Sequence, residues 1–115
     1  MYYDLCVHLD MNDPSLLGLT INNVVNYMAA LPDEQYRVRV VVNGPAVQLF
    51  RQGSCPQEEK VAEMAAQGVT FAVCANALKA FNVTEAELLP ACEVVAAGIV
   101  ELVRLQREGY AYLRP

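Results

Sequence analysis

The sequence predicts an α/β fold with a mainly parallel sheet covered by helices on both faces. Strand-like and helix-like patterns alternate along the 115 residues, as expected of strands joined by helical crossovers. The two central strand candidates, "YRVRVVV" and "VTFAVC", become continuously apolar, which marks strands buried on both faces. Prolines, glycines and capping side chains fall between these segments, where chain reversals are needed.

Taken in order, "YDLCVHL" (3–9) is a strand and "MNDPS" (11–15) a loop whose Ser15 is placed to cap the next element. From Leu16 to Leu31, the residues Leu17, Ile21, Val24, Val25, Met28 and Leu31 recur at helical spacing, and Pro32 ends the run. "YRVRVVV" (36–42) is the second strand, and "NGPAVQLFRQ" (43–52) opens with a turn and continues as a short helix with its proline in the first turn. "GSCPQ" (53–57) is loop, and "EEKVAEMAAQ" (58–67) is a helix closed by Gly68. "VTFAVC" (69–74) is a strand, followed by a short helix around 75–80 and a further turn capped by Thr84. "CEVVA" (92–96) is a short strand, Gly98 to Glu108 a helix closed by Gly109, and "YAYLR" the last strand. No repeat or linker divides the chain, so residues 1–115 form one domain.

Composition narrows the function. Hydrophobic residues make up 55% of the chain, above the roughly 45–50% of ordinary globular proteins, and the surplus points to a homo-oligomer. Eight Lys and Arg against thirteen Asp and Glu leave a net charge of −5, with the basic residues dispersed, which disfavours nucleic-acid binding. The start, "MYYDLCVHLD", does not read as a secretory signal, and no apolar run approaches the about 18 residues of a membrane helix. A cytoplasmic protein without membrane contact is expected. The four cysteines, at 6, 55, 74 and 92, contain no C-x-x-C pair, and His8 is the single histidine; free thiols are therefore expected, and no zinc spacing exists.

Ligands of open parallel sheets bind beyond the carboxyl ends of the strands. The residues expected there are His8 and Asp10, Asn43 and Gly44, Cys74 and Asn76, and Ala97 with Gly98. Cys74 ends a central strand and precedes a helix, whose free N–H groups favour a thiolate over a thiol. Strand parity puts it with Thr70 and Ala72 on a small-residue face, leaving room for an approaching group. Equally, free cysteine is among the most buried residue types, and a core role fits the position. Cys6 and Cys92 read as core, and Cys55 as a surface thiol in a polar loop. His8 meets Cys74 if the first strand neighbours the third, and a histidine hydrogen-bonded to a nearby loop fits the position equally well; a metal set of Cys6, His8 and Cys74 lacks local spacing and a fourth ligand. Asn22, Asn23 and Asn26 crowd one helix despite poor helix propensity, pointing to polar contacts with a loop, a subunit or a ligand.

The segments "HLD", "INNVVNYM", "VVVNGPAVQLF", "GVTFAVCANAL" and "VAAGIVELVRLQREGYAYLRP" together resemble the DsrE/DsrF-like proteins over nearly the whole chain, particularly their small stand-alone branch. The resemblance implies a three-layer α/β/α fold with a five-stranded sheet, trimers or hexamers, and a place in intracellular sulfur metabolism. It also implies that Cys74, at the end of the third strand, carries sulfur as a persulfide between donor and acceptor proteins, with His8, Asn43, Gly44, Asn76 and Gly98 shaping the pocket. Such chemistry requires neither metal nor organic cofactor. Two other readings stand beside this one: a small-anion or nucleotide binding module using the same crevice, and a non-catalytic assembly or regulatory protein with Cys74 buried.

Overall fold

The computed structural model describes residues 1–115. Its elements run β1 (Leu5–Leu9), α1 (Pro14–Ala29), β2 (Val38–Val42), α2 (Glu58–Ala66), β3 (Thr70–Cys74), α3 (Ala75–Ala80), β4 (Cys92–Val95), α4 (Gly98–Arg107) and β5 (Ala111–Leu113). Two 3-10 segments, Gly44–Phe50 and Glu85–Glu87, occupy the longer connections. The expected order of elements is present throughout, with the strands shorter at their ends. The start of α1 differs in detail. Asp13 rather than Ser15 is the cap, its carboxylate accepting from the Ser15 N–H at 2.9 Å, and Pro14 fills the first turn, where no N–H is required.

The five strands lie in the order β4-β3-β2-β1-β5. Every pair is parallel, so the sheet is parallel throughout rather than mainly so. With β2 at its centre, β1 and β3 are not neighbours, so the condition for His8 to meet Cys74 across adjacent strands is not met. Leu9 pairs with Val42, and Val42 with Val73; consequently all strands present their carboxyl ends along one edge.

Helices cover the two faces unequally. The larger core includes Leu17, Val24, Phe50, Val61, Met64 and Phe71, drawn from α1, α2 and the first 3-10 segment against alternate residues of the sheet. The Phe50 and Phe71 rings lie 5.9 Å apart in a tilted pair, within the favourable range for aromatic contacts. On the other face α4 packs alone, Leu102 and Leu105 closing over Cys6 and Val41 with Tyr110 beside them. The α4 side of β2 also carries Arg39, whose guanidinium donates to Glu101 at 2.7 and 3.0 Å and to Glu93 on β4. Glu101 is buried and also accepts from Arg104 at 2.9 Å. The pairing compensates a carboxylate that would be costly to bury alone, and it ties α4 to two strands. No helix is long and apolar enough to cross a membrane.

At the amino end of the sheet Asp4 is fully buried. Burial opposes its ionisation. That effect is outweighed by hydrogen bonds from the Met1 ammonium at 2.8 Å and from the Arg37 backbone and guanidinium at 2.7 and 3.1 Å, which hold the carboxyl below the usual aspartate range. A depressed folded pKa contributes stability that is present above the unfolded value and lost as the pH falls through the folded one. Asp4→Asn is therefore expected to lower stability at neutral pH, with a difference from wild type that shrinks in acid. Denaturant unfolding at neutral and acid pH measures this, and a difference that does not vary with pH would contradict it.

Candidate functional site

The carboxyl edge of the sheet collects the chemistry-bearing residues because β1, β2 and β3 all end there. Cys74 is the last residue of β3, and its extended backbone (φ −71°, ψ 119°) turns directly into α3. Val95, its partner on β4, leads through Ala97 into α4. Two helices thus begin beside one thiol. The short α3 contributes little field of its own. The ten-residue α4 adds a second set of unpaired N–H groups at the same edge.

Gly98 explains how α4 starts so close. A Cβ on it would stand 2.9 Å from the Cβ of Asn43, 3.3 Å from that of Cys74 and 3.4 Å from Asn43 Nδ2. The small-residue face around Cys74 is consequently filled by the first turn of α4, contrary to the room expected from strand parity. Cys74 is only 6% exposed and adjoins the larger core.

His8 connects to this corner through Asn43. Its Nε2 lies 2.9 Å from Asn43 Oδ1, and its Nδ1 lies 2.7 Å from the hydroxyl of Tyr112 on β5. Asp10 Oδ2 is 4.0 Å from Nε2, and Arg114 pairs with Asp10 at 3.2 Å. Gly44 has φ +55°, and a Cβ there would meet the Asp10 carbonyl at 3.2 Å; both features favour glycine. His8, Asn43, Gly98 and Cys74 thus come together, with Gly44 behind them. Asn76 is exposed in α3 and makes no side-chain hydrogen bond within the chain, so it does not join the corner. Asn22 and Asn26 face outward and Asn23 is half-buried, likewise without side-chain partners.

Tyr112 and Arg114 belong to the cluster although the sequence reading passed over them. They reach it because β5 pairs with β1, Cys6 opposite Tyr112; the readable signal was parity, which puts Tyr112 on the face shared by Cys6 and His8 once that pairing is known.

The remaining thiols are all free and lie apart from this corner. Cys6 is fully buried, and burial raises its pKa. Cys55 is half-buried against the larger core, not a surface thiol, and burial raises it as well. Cys92 is pushed up to about 12 by burial, with a smaller contribution from Cys55. No group of three His, Cys, Asp or Glu side chains converges as metal ligands.

Two clefts flank the sheet. One of about 260 Å³ opens beside His8, Asp10 and Arg114. A larger one of about 750 Å³ lies at the opposite, amino end, bounded by Tyr36, Val38, Gly68 and Val69. It has no cysteine, histidine, serine, threonine or lysine in its walls. Size alone favours the second, while His8, Asp10 and Arg114 line the first, and Cys74 lines neither.

The family model for the DsrE/DsrF-like family matches residues 5–115. Among solved structures, MTH1491 from Methanobacterium thermoautotrophicum, a protein of unknown function, superposes with a TM-score of 0.91 at 39% identity, over 98% of this chain and 99% of that one. The ychN protein from E. coli superposes with a TM-score of 0.81 at 14% identity, over 98% and 99% of the two chains, a likeness of fold alone. No functionally curated protein matches the sequence.

Because a Cβ at position 98 would sit 2.9 Å from the Asn43 Cβ, Gly98→Ala is expected to push α4 away from Cys74. The cost should be about 1–3 kcal/mol, read from denaturant unfolding, together with faster labelling of Cys74 by a thiol reagent. Unchanged stability and labelling would show that α4 does not cover the thiol.

Proposed function

This chain belongs to the DsrE/DsrF-like family, and from that premise we propose that it is a sulfur-relay protein whose Cys74 accepts and donates sulfane sulfur. The observation that carries the reading is position: Cys74 is the one cysteine at the carboxyl edge, next to the starts of α3 and α4.

The transfer needs only thiol chemistry. The Cys74 thiolate attacks the terminal sulfur of a donor persulfide R–S–SH. The bond between the donor's two sulfurs breaks, its electron pair leaves with R–S⁻, and Cys74 becomes Cys–S–SH. An acceptor thiolate R′–S⁻ then attacks the same terminal sulfur, forming R′–S–SH and returning the Cys74 thiolate. Sulfur moves with its proton, no net electron is gained or lost, and neither metal nor organic cofactor takes part. Helix N–H groups favour the anionic sulfur in both states. At 6% exposure, Cys74 meets a donor only when the first turn of α4 yields, so loading and the mobility of that turn are linked.

The reading includes a homo-oligomer in a reducing cytoplasm. Ile99, Val100 and Val103 on the outer side of α4 are 66, 64 and 53% exposed, an apolar stripe that a second copy of this chain would cover. Light scattering should report an oligomer that Val100→Lys weakens; a wild-type monomer would remove this part of the reading.

A second reading, a non-catalytic assembly protein, draws support from the same low exposure of Cys74, which is what a core thiol shows. The nucleotide alternative has less behind it, since the cleft beside His8, about 260 Å³, is below the roughly 300–1,000 Å³ of small-molecule sites.

Incubating the folded protein with inorganic polysulfide and mapping each cysteine by mass spectrometry separates the first two readings. One added sulfur atom on Cys74, absent in Cys74→Ser, is the expected outcome. A Cys74 that gains nothing, while the protein keeps its oligomeric state, would leave the assembly reading.

A further inference from the structure

The cleft of about 750 Å³ at the amino end of the sheet is left unused by the sulfur chemistry, although its volume falls within the roughly 300–1,000 Å³ of small-molecule sites. Its walls are mostly apolar. Val25 and Met28 come from α1, Leu31 and Tyr36 from the connection to β2, and Val69 from the residue before β3. Tyr36 is steadied by an edge-on contact with Tyr27, the ring centres 5.7 Å apart.

The charge around this hollow has one sign. Glu34 is the only charged side chain in the walls; it is exposed and pairs with no cation of the chain. The Met1 ammonium, at one wall, is taken up by Asp4 at 2.8 Å. Both α1 and α2 end beside the cleft, whose walls include Ala29 and Leu31 from the end of the first helix and Gln67 and Gly68 from the end of the second. A helix C-terminus carries partial negative charge, which basic side chains in the last turn ordinarily offset. The helices α3 and α4 have such residues, Lys79 in one and Arg104 and Arg107 in the other, whereas α1 and α2 have none. The carbonyls of their capping residues, Ala30 and Gln67, accept no hydrogen bond within the chain.

Acceptor oxygens therefore border an apolar hollow, and the carboxamides of Gln35 and Gln67 can accept as well. A primary ammonium is the matching group. It has three donors and no acceptor, and an aromatic ring such as that of Tyr36 attracts a cation further.

We infer that this cleft binds a small molecule with an apolar body and a primary ammonium group, the body among Val25, Met28, Leu31 and Val69 and the ammonium against Glu34 and the ends of α1 and α2. The site lies at the opposite end of the sheet from Cys74, so the inference does not depend on the sulfur-carrier reading. A carboxylate of the same size would meet Glu34 and two helix C-termini with like charge. Discrimination is thus by sign.

The test uses n-hexylammonium, 1-hexanol and hexanoate, which share an apolar chain and differ in charge. Each is titrated into the isotope-labelled full chain while the backbone amide resonances are followed by NMR. Hexylammonium should shift the amides of Leu31, Glu34, Gln35, Gly68 and Val69 to saturation, and bind more tightly than hexanol, with hexanoate weakest. Glu34→Gln should weaken hexylammonium by about two- to fivefold, the scale of an exposed ion pair, and leave hexanol unchanged. Val25→Trp, which fills the hollow from an exposed position on α1, should weaken both.

The inference is overturned if hexylammonium produces no saturating shift, or if its shifts centre on Ile99, Val100 and Val103 instead. Hexanol or hexanoate binding as tightly as hexylammonium, or a Glu34→Gln protein that binds it as the wild type does, would mark a merely apolar groove and overturn it equally.

Discussion

Parallel pairing on both sides of β2 is the constraint from which the rest follows. A strand hydrogen-bonded on both edges and packed on both faces admits apolar side chains nearly throughout, and Val38, Val40, Val41 and Val42 are all buried. Parallel neighbours also need crossovers, so each connection must carry a helix or a long loop over one face of the sheet. In return, every strand delivers its last residue to the same edge. His8, Asn43 and Cys74 arrive from three successive strands in the sheet and meet without any local sequence proximity.

The exception to the apolar rule on β2 is Arg39, and its exception has a use. Its guanidinium, held by Glu101 and Glu93, pins α4 across β2 and β4. That placement puts Gly98 where no larger residue fits, and so fixes how far Cys74 is covered. The first turn of α4 lies against Cys74 and shields it, and the apolar outer side of α4 lies only one or two residues beyond.

Much of this was legible before any coordinates. Helical spacing in α1, continuous apolarity in β2 and β3, and the glycine and proline stops located the elements, because these signals are local. Cys74 at a strand end before a helix was equally local. What escaped depends on distant pairing. Strand order put β2 between His8 and Cys74, so His8 bonds to Asn43 at the end of β2 instead of meeting the thiol. Tyr112 joined only because β5 chose the free edge of β1. Cys55 sits in a polar stretch, yet it is half-buried because its loop folds back on the core beside Cys92. The close approach at Gly98 is a matter of ångströms that no residue pattern encodes.

A carrier must release what it takes, and the direction of that release is the most direct test of the central claim. The measurement is the fate of isotope-labelled sulfur on loaded Cys74 when a small thiol is added, followed by mass spectrometry of both partners. Attack on the terminal sulfur predicts that Cys74 returns to the free thiol and the label appears on the added thiol as its persulfide. Label that stays on Cys74, or that leaves as free sulfide while the protein forms a mixed disulfide, would contradict the account.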